Sequence, residues 1–126
     1  MGRRQSIYVD SFKHVNPVPA ACRIGNIVCS GGVYGQDPVT RKAADGIEAQ
    51  CALMFAHVQS IVEAAGGRTE DIIRMTLWMN DRSLRSVVNR EWIAMFPDEA
   101  SRPTRQTLKA NLEGGILIQC DFIAIV

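Results

Sequence analysis

The chain has 126 residues and a mass of 13.9 kDa, carries a formal net charge of +1, and is 47% hydrophobic and 21% charged, with 10 glycines and 5 prolines. That length suits one core rather than two, and the composition excludes a disordered, collagenous or coiled-coil chain. The near-zero charge gives no general attraction to nucleic acid or an anionic membrane, and no apolar run approaches the ~20 residues that span a bilayer.

At the N-terminus, Met1-Gly2-Arg3-Arg4-Gln5-Ser6 fits the short myristoylation template, and Arg3-Arg4 matches the start of a twin-arginine signal. The next residues, Ile7-Tyr8-Val9-Asp10-Ser11, contain no apolar segment of the kind a signal needs, so the expectation is a cytoplasmic protein. Asn16-Pro17-Val18-Pro19 is held extended, because a residue before proline avoids the α region. Two short apolar runs, Ala21 to Ile24 and Asn26 to Ser30, meet at Gly25-Asn26 and predict a tight hairpin. Three glycines in Gly31-Gly32-Val33-Tyr34-Gly35 predict either a bulge or a close approach of backbone to a neighbour.

Asp45 followed by Glu48 predicts a capping-box helix start. Ile47, Cys51, Met54, Val58, Ile61, Val62 and Ala65 then recur at helical spacing until Gly66-Gly67 stops the helix. His57 falls at the edge of that stripe with no carboxylate or second histidine at i±4, so it is expected to face solvent or cap rather than catalyse. Ile73, Met75, Leu77 and Met79 alternate with Arg74, Thr76, Trp78 and Asn80, which predicts a strand with the first set facing the core. A second helix follows, capped by Asp81 or Ser83, with Leu84, Val88, Trp92 and Met95 or Phe96 inward and Pro97 near its end. Arg105 to Lys109 predicts a short strand. The run from Ile116 to Val126 is apolar on both faces and predicts a central strand covered on both sides.

The order strands, helix, strand, helix, strands gives an α+β domain over residues 1–126, with both helices on one face of a mainly antiparallel sheet. Nothing within the chain is left to cover the other face, so a further subunit is expected there.

Cys22, Cys29, Cys51 and Cys120 show no CxxC and no zinc spacing, and are read as buried small hydrophobes in a reducing compartment. Phosphate-loop, dinucleotide, serine-hydrolase and zinc-protease signatures are absent from the sequence. Gln119 and Asp121 lie two apart in the last strand and therefore share a face, where their burial requires a partner from a cross-strand group, another subunit or a ligand. Arg105, at a strand entry after Pro103, can offer a bidentate fork to a carboxylate or phosphate.

The ordered punctuation of the chain carries a family resemblance. It includes Ile24-Gly25-Asn26, Gly31-Gly32, Asp37-Pro38-Val39-Thr40, Ile61-Val62-Glu63-Ala64-Ala65-Gly66-Gly67, Asp71-Ile72-Ile73, Asn89, Pro103-Thr104-Arg105 and the closing Asp121-Phe122-Ile123-Ala124-Ile125-Val126. On these residues, spanning Ile24 to Val126, the chain resembles the RidA/YjgF family of reactive-intermediate deaminases. The resemblance implies a chorismate-mutase-like fold assembled as a homotrimeric barrel, with ligand pockets between subunits. It also implies hydrolysis of enamines and imines such as 2-aminoacrylate to 2-keto acids and ammonia, without metal or cofactor. Arg105 falls at the family's substrate-carboxylate arginine and Asn89 at a recurrent pocket asparagine.

Four positions of the implied ligand pocket depart from that pattern. Gln119 stands where the deaminases carry a glutamate that positions water, Thr107 where they often carry cysteine, Val18 where they often carry tyrosine, and Gly31 where they usually carry serine. An amide orients water but cannot take its proton as a carboxylate does, and Asp121 could substitute only in a re-registered pocket. Two readings follow from the sequence: an imine or enamine deaminase with Arg105 and Gln119 at its centre, or a non-catalytic trimer that binds small carboxylates. A ribonuclease, an activity also attributed to parts of the family, is disfavoured by the balanced charge and the lack of a basic stripe.

Overall fold

The computed structural model describes residues 2–126; Met1, which opens the myristoylation-like stretch, lies outside them. In chain order the strands and helices are β1 (Gln5–Ile7), β2 (Ala21–Ile24), β3 (Ile27–Ser30), β4 (Val33–Tyr34), α1 (Ile47–Ala64), β5 (Ile72–Met79), α2 (Arg85–Met95), β6 (Thr104–Lys109) and β7 (Ile118–Ile125). They form one sheet in the order β1-β2-β3-β7-β5-β6, with β4 also pairing β7. Every pairing is antiparallel except β5 with β6, which are parallel because α2 crosses over between them.

Both helices lie on one face of this sheet. The predicted stripe of α1 is there: Cys51, Met54, Val58, Ile61 and Val62 are fully buried, as are Met75, Leu77, Met79, Ile118, Cys120 and Ala124 on the strands beneath. Val88 is also fully buried, and Trp92 and Phe96 close the core from α2, their rings edge to face at 4.8 Å. The last strand is central, as expected, but only its helix face is covered. Gln119, Asp121 and Ile123 are half-buried, and Ile125, Ile27 and Leu108 are exposed on the other face.

Several local expectations change. Helix α1 starts at Gly46, whose positive φ of 90° sets the turn, and no side chain caps it; the Asp45–Glu48 capping box does not form. Its end is as predicted: Gly66 N–H donates to Glu63 O and Gly67 N–H to Val62 O, closing the last carbonyls. Ile73 faces solvent rather than the core, because a bulge between Ile72 and Arg74 inserts a residue and reverses the alternation at that point. Asp81 is the cap of the second helical segment, accepting from Ser83 N–H at 2.9 Å ahead of a short 3-10 turn at Arg82–Leu84.

His57 is buried, not solvent-facing. Its Nε2 lies 2.7 Å from the Gln36 carbonyl, so that nitrogen carries the proton and donates. Burial holds its pKa below the ordinary value, opposed by the bond to Gln36 and aided by Arg41. The cysteines divide: Cys51 and Cys120 are buried as expected, whereas Cys22 is half-buried and Cys29 exposed.

Candidate functional site

Strand β6 is an edge strand that begins just after Pro103, and its register with β5 sets Arg105 opposite Met75 and Thr107 opposite Leu77. Opposed residues share a face, and Met75 and Leu77 are buried under the helices, so Arg105 and Thr107 rise on the helix side at the margin of the sheet. There Arg105 meets α2. Its guanidinium carbon lies 5.0 Å from the Trp92 ring centroid, and its Nη2 donates to Asn89 Oδ1 at 2.8 Å. Asn89 and Trp92 are three apart on α2 and so reach Arg105 together. Burial, with Arg85 nearby, pulls the pKa of Arg105 below its ordinary value, yet a guanidinium stays charged in any working buffer. Among the described residues the ion pairs are Asp10 with Lys13 and Arg68 with Glu70, and neither engages Arg105.

Strand β7 presents the second group. Gln119 is opposite Trp78 and Asp121 opposite Thr76, on the face away from the helices. Both are half-buried and keep contact with solvent in the single chain. Burial raises the pKa of Asp121, and Arg74 opposes that rise. The Gln119 amide lies across Gly32: a Cβ on that glycine would stand 2.8 Å from Gln119 Nε2, so only glycine leaves the amide where it is. Gly31 N–H donates to Ala20 O at 2.9 Å and ends the β2–β3 hairpin, with His14 Nε2 standing 3.8 Å from where its Cβ would be.

Val18 is exposed and lines a cleft of about 410 Å³ in the N-terminal loop with Tyr8, Phe12, Lys13 and His14. The cleft is shaped by Gln36, which is buried. Its side chain accepts from Lys13 N–H and donates to Lys13 O, both at 2.9 Å, fixing the loop to the body of the molecule. Burial lowers the pKa of His14, whose Nε2 is buried without a hydrogen-bond partner.

The candidate residues therefore fall into two groups. Arg105, Asn89 and Thr107 are together on the helix side, and Gln119 and Gly31 are together near Gly32, with Val18 in the adjoining loop. One chain does not join them. Among the described residues no cluster of three or more histidine, cysteine or acidic side chains is arranged to hold a metal ion. Sequence reasoning missed Gln36 and His14 as parts of this region and assigned Trp92 to the core alone, whereas the close approach expected in the Gly31-to-Gly35 stretch is present, with Gly32 against the Gln119 amide. The spacing of Trp92 from Asn89 was a usable signal, since residues three apart on a helix share a face. Gln36 and His14 act through contacts distant in sequence and left no local trace.

The family model for endoribonuclease L-PSP matches residues 9–126. A 2-iminobutanoate/2-iminopropanoate deaminase of Salmonella typhimurium strain LT2 is 29% identical over 113 residues, 88% of each chain. A RutC family protein of Aquifex aeolicus is 28% identical over 94 residues, 75% of each chain. Among solved structures, RidA from the Antarctic bacterium Psychrobacter sp. PAMC 21119 superposes with a TM-score of 0.89 at 27% identity, covering 97% of this chain and 99% of the other. A protein of Rhodopseudomonas palustris described as a probable translation initiation inhibitor reaches 0.90 at 29% identity, covering 98% of both chains. The relatives share one fold under names that describe different activities.

Proposed function

This chain belongs to the endoribonuclease L-PSP family, the RidA/YjgF family that its sequence resembles, and from that premise we propose that it is a deaminase. It hydrolyses small 2-imino and enamine acids to 2-keto acids and ammonia. The observation that carries this reading is Arg105: a partly desolvated guanidinium, steadied by Asn89 and Trp92 and unpaired with any described carboxylate, suits a substrate carboxylate. Relatives named as deaminases of 2-iminobutanoate and 2-iminopropanoate support it.

The chemistry asks little of the protein. With the carboxylate on Arg105, a water oriented by the Gln119 amide adds to the imine carbon and gives a carbinolamine. The nitrogen takes the two protons the water gives up and leaves as ammonia, and the carbinolamine oxygen becomes the keto group. Gln119 both donates to and accepts from the water but takes no proton, so the chain's rate enhancement is modest beside that of a site with a carboxylate there. Thr107, Val18 and the Gly31 backbone line the pocket. In our reading the two groups of residues meet across an interface between copies, in a chorismate-mutase-like homotrimer whose sheets face inward, because the uncovered sheet face exposes Ile27, Leu108 and Ile125 and one chain holds the groups apart.

Gln119 itself favours a second reading, a trimer that binds small carboxylates without turning them over. Ammonia release from freshly generated 2-iminopropanoate separates the two. Release above the uncatalysed rate supports the deaminase, and pyruvate binding without release supports the binding protein.

A further inference from the structure

We propose that Arg85 is a second anion-binding residue of the pocket, so that the preferred substrate is a 2-imino dicarboxylic acid, held with its 2-carboxylate on Arg105 and its side-chain carboxylate on Arg85. This rests on the role given to Arg105 above. The geometry comes from α2. Arg85, Asn89 and Trp92 stand at i, i+4 and i+7, which at 3.6 residues per turn places them within ~60° of one another on one stripe of the helix. Two of the three touch Arg105: Asn89 Oδ1 accepts from its Nη2 at 2.8 Å, and the Trp92 ring centroid lies 5.0 Å from its guanidinium carbon. Arg85 heads the same stripe, ~6 Å along the axis from Asn89 at 1.5 Å per residue. Side chains on a helix tilt toward its N-terminus, so Asn89 leans toward Arg85. Strand β6 leads the same way, since it packs against the 3-10 turn at Arg82–Leu84 that runs into Arg85. Both arginines are on the helix side, not on the sheet face that turns inward in the trimer.

No acid balances this pair. Among the described residues the ion pairs are Asp10 with Lys13 and Arg68 with Glu70, and the first turn of α2 has no acidic residue. Asp81, ahead of the turn, is held by Ser83, accepting from its N–H at 2.9 Å and from its Oγ at 2.6 Å. Lys109 donates to Asn80 O at 3.0 Å. The pKa of Arg105 is lowered first by burial and then by Arg85, so the two cations feel one another. Like charges repel, and a dianion set between them relieves the repulsion at both ends.

Arg105 is the more buried of the two and is steadied by Asn89 and Trp92, so it takes the carboxylate next to the reacting carbon. Exposed Arg85, on its flexible stem, takes the distal one. One helical turn between them suits a short acid such as 2-iminosuccinate or 2-iminoglutarate. The reaction is unchanged: imine and water give a 2-keto dicarboxylic acid and ammonia.

Calorimetry tests this by comparing 2-oxoglutarate with 2-oxopentanoate, which carries a methyl group in place of the second carboxylate. Wild type is expected to bind 2-oxoglutarate about three- to tenfold more tightly, less than the effect of Arg105 because Arg85 is exposed. Arg85→Gln is expected to remove that preference and Arg85→Lys to keep part of it, whereas Arg82→Gln, three residues earlier, keeps it in full. Equal affinity of wild type for the two acids overturns the proposal, as does a preference that survives Arg85→Gln or is lost equally in Arg82→Gln. Failure of the underlying reading looks different: if neither acid binds, Arg105 is no carboxylate site and both readings fall, whereas if both bind alike only this one does.

Discussion

Arg105 and Gln119 stand on opposite faces of the same sheet. Arg105 is in register with buried Met75, whereas Gln119 is in register with Trp78, whose neighbours Leu77 and Met79 are the buried ones. Side chains alternate across a strand, so no rotamer of a single chain aligns both with one small substrate in the sheet interior. If both act on one molecule, each is contributed by a different copy.

The first prediction is therefore an assembly test. Light scattering at micromolar concentration is expected to give a trimer mass. Mixing Arg105→Ala with Gln119→Ala subunits after dissociation and reassembly is expected to restore part of the deamination that each loses alone, because mixed trimers contain some sites with both native residues. A stable monomer, or no recovery on mixing, contradicts an interfacial site.

Arg105→Ala is expected to weaken binding of pyruvate or 2-oxobutanoate roughly tenfold or more, the ~1.5 to 3 kcal/mol of a charge-assisted hydrogen bond. Calorimetry checks it. Asn89→Ala removes only the partner that steadies the guanidinium and is expected to cost less.

The glycines separate stability from function. A methyl at Gly35 is driven into the backbone of Gln50 in the first turns of α1, so Gly35→Ala is expected to lower stability by about 1 to 3 kcal/mol. A methyl at Gly32 meets only the end of the Gln119 side chain, which swings away. Gly32→Ala is expected to leave Tm nearly unchanged while reducing deamination at unaltered carboxylate affinity. Thermal melts and kinetics distinguish the two.

Acid sensitivity follows from the buried histidine. The folded-state pKa of His57 lies below its ordinary value of 6.5. As pH falls below that value the unfolded chain takes up a proton that the folded chain does not, so stability is full above it and declines as pH drops toward the folded pKa. His14 is shifted in the same direction. Denaturation at a series of pH values is expected to show this decline, and His57→Gln, which keeps a donor for the Gln36 carbonyl, is expected to flatten it.

Much of this molecule was legible in the sequence because it rests on local pattern. The α1 stripe, the Gly25-Asn26 turn, the Gly66-Gly67 stop and the unpartnered sheet face all follow from spacing within a few residues. What failed was non-local. Ile73 continues a perfect alternation in sequence, and only the pairing of β5 with β7 reveals the extra residue that turns it outward. His57 has no partner on its own helix, and the carbonyl that holds it belongs to Gln36, 21 residues away. Arg105 and Gln119 each stand out from their place in a strand, and the resemblance gives them roles, but their separation depends on the parallel register of β6, which no alternation pattern contains.

The measurement that bears most directly on the proposed activity is the decay of freshly generated 2-iminopropanoate with wild type, Arg105→Ala and Gln119→Glu at equal trimer concentration. Wild type is expected above the uncatalysed rate and Arg105→Ala near it. Gln119→Glu is expected to exceed wild type by less than the ~10² to 10⁴-fold that a well-placed general base contributes, because Val18, Gly31 and Thr107 still differ and catalytic groups do not act additively. Three decays indistinguishable from the uncatalysed rate would contradict the deaminase account, and a Gln119→Glu slower than a fast wild type would contradict the role given to Gln119.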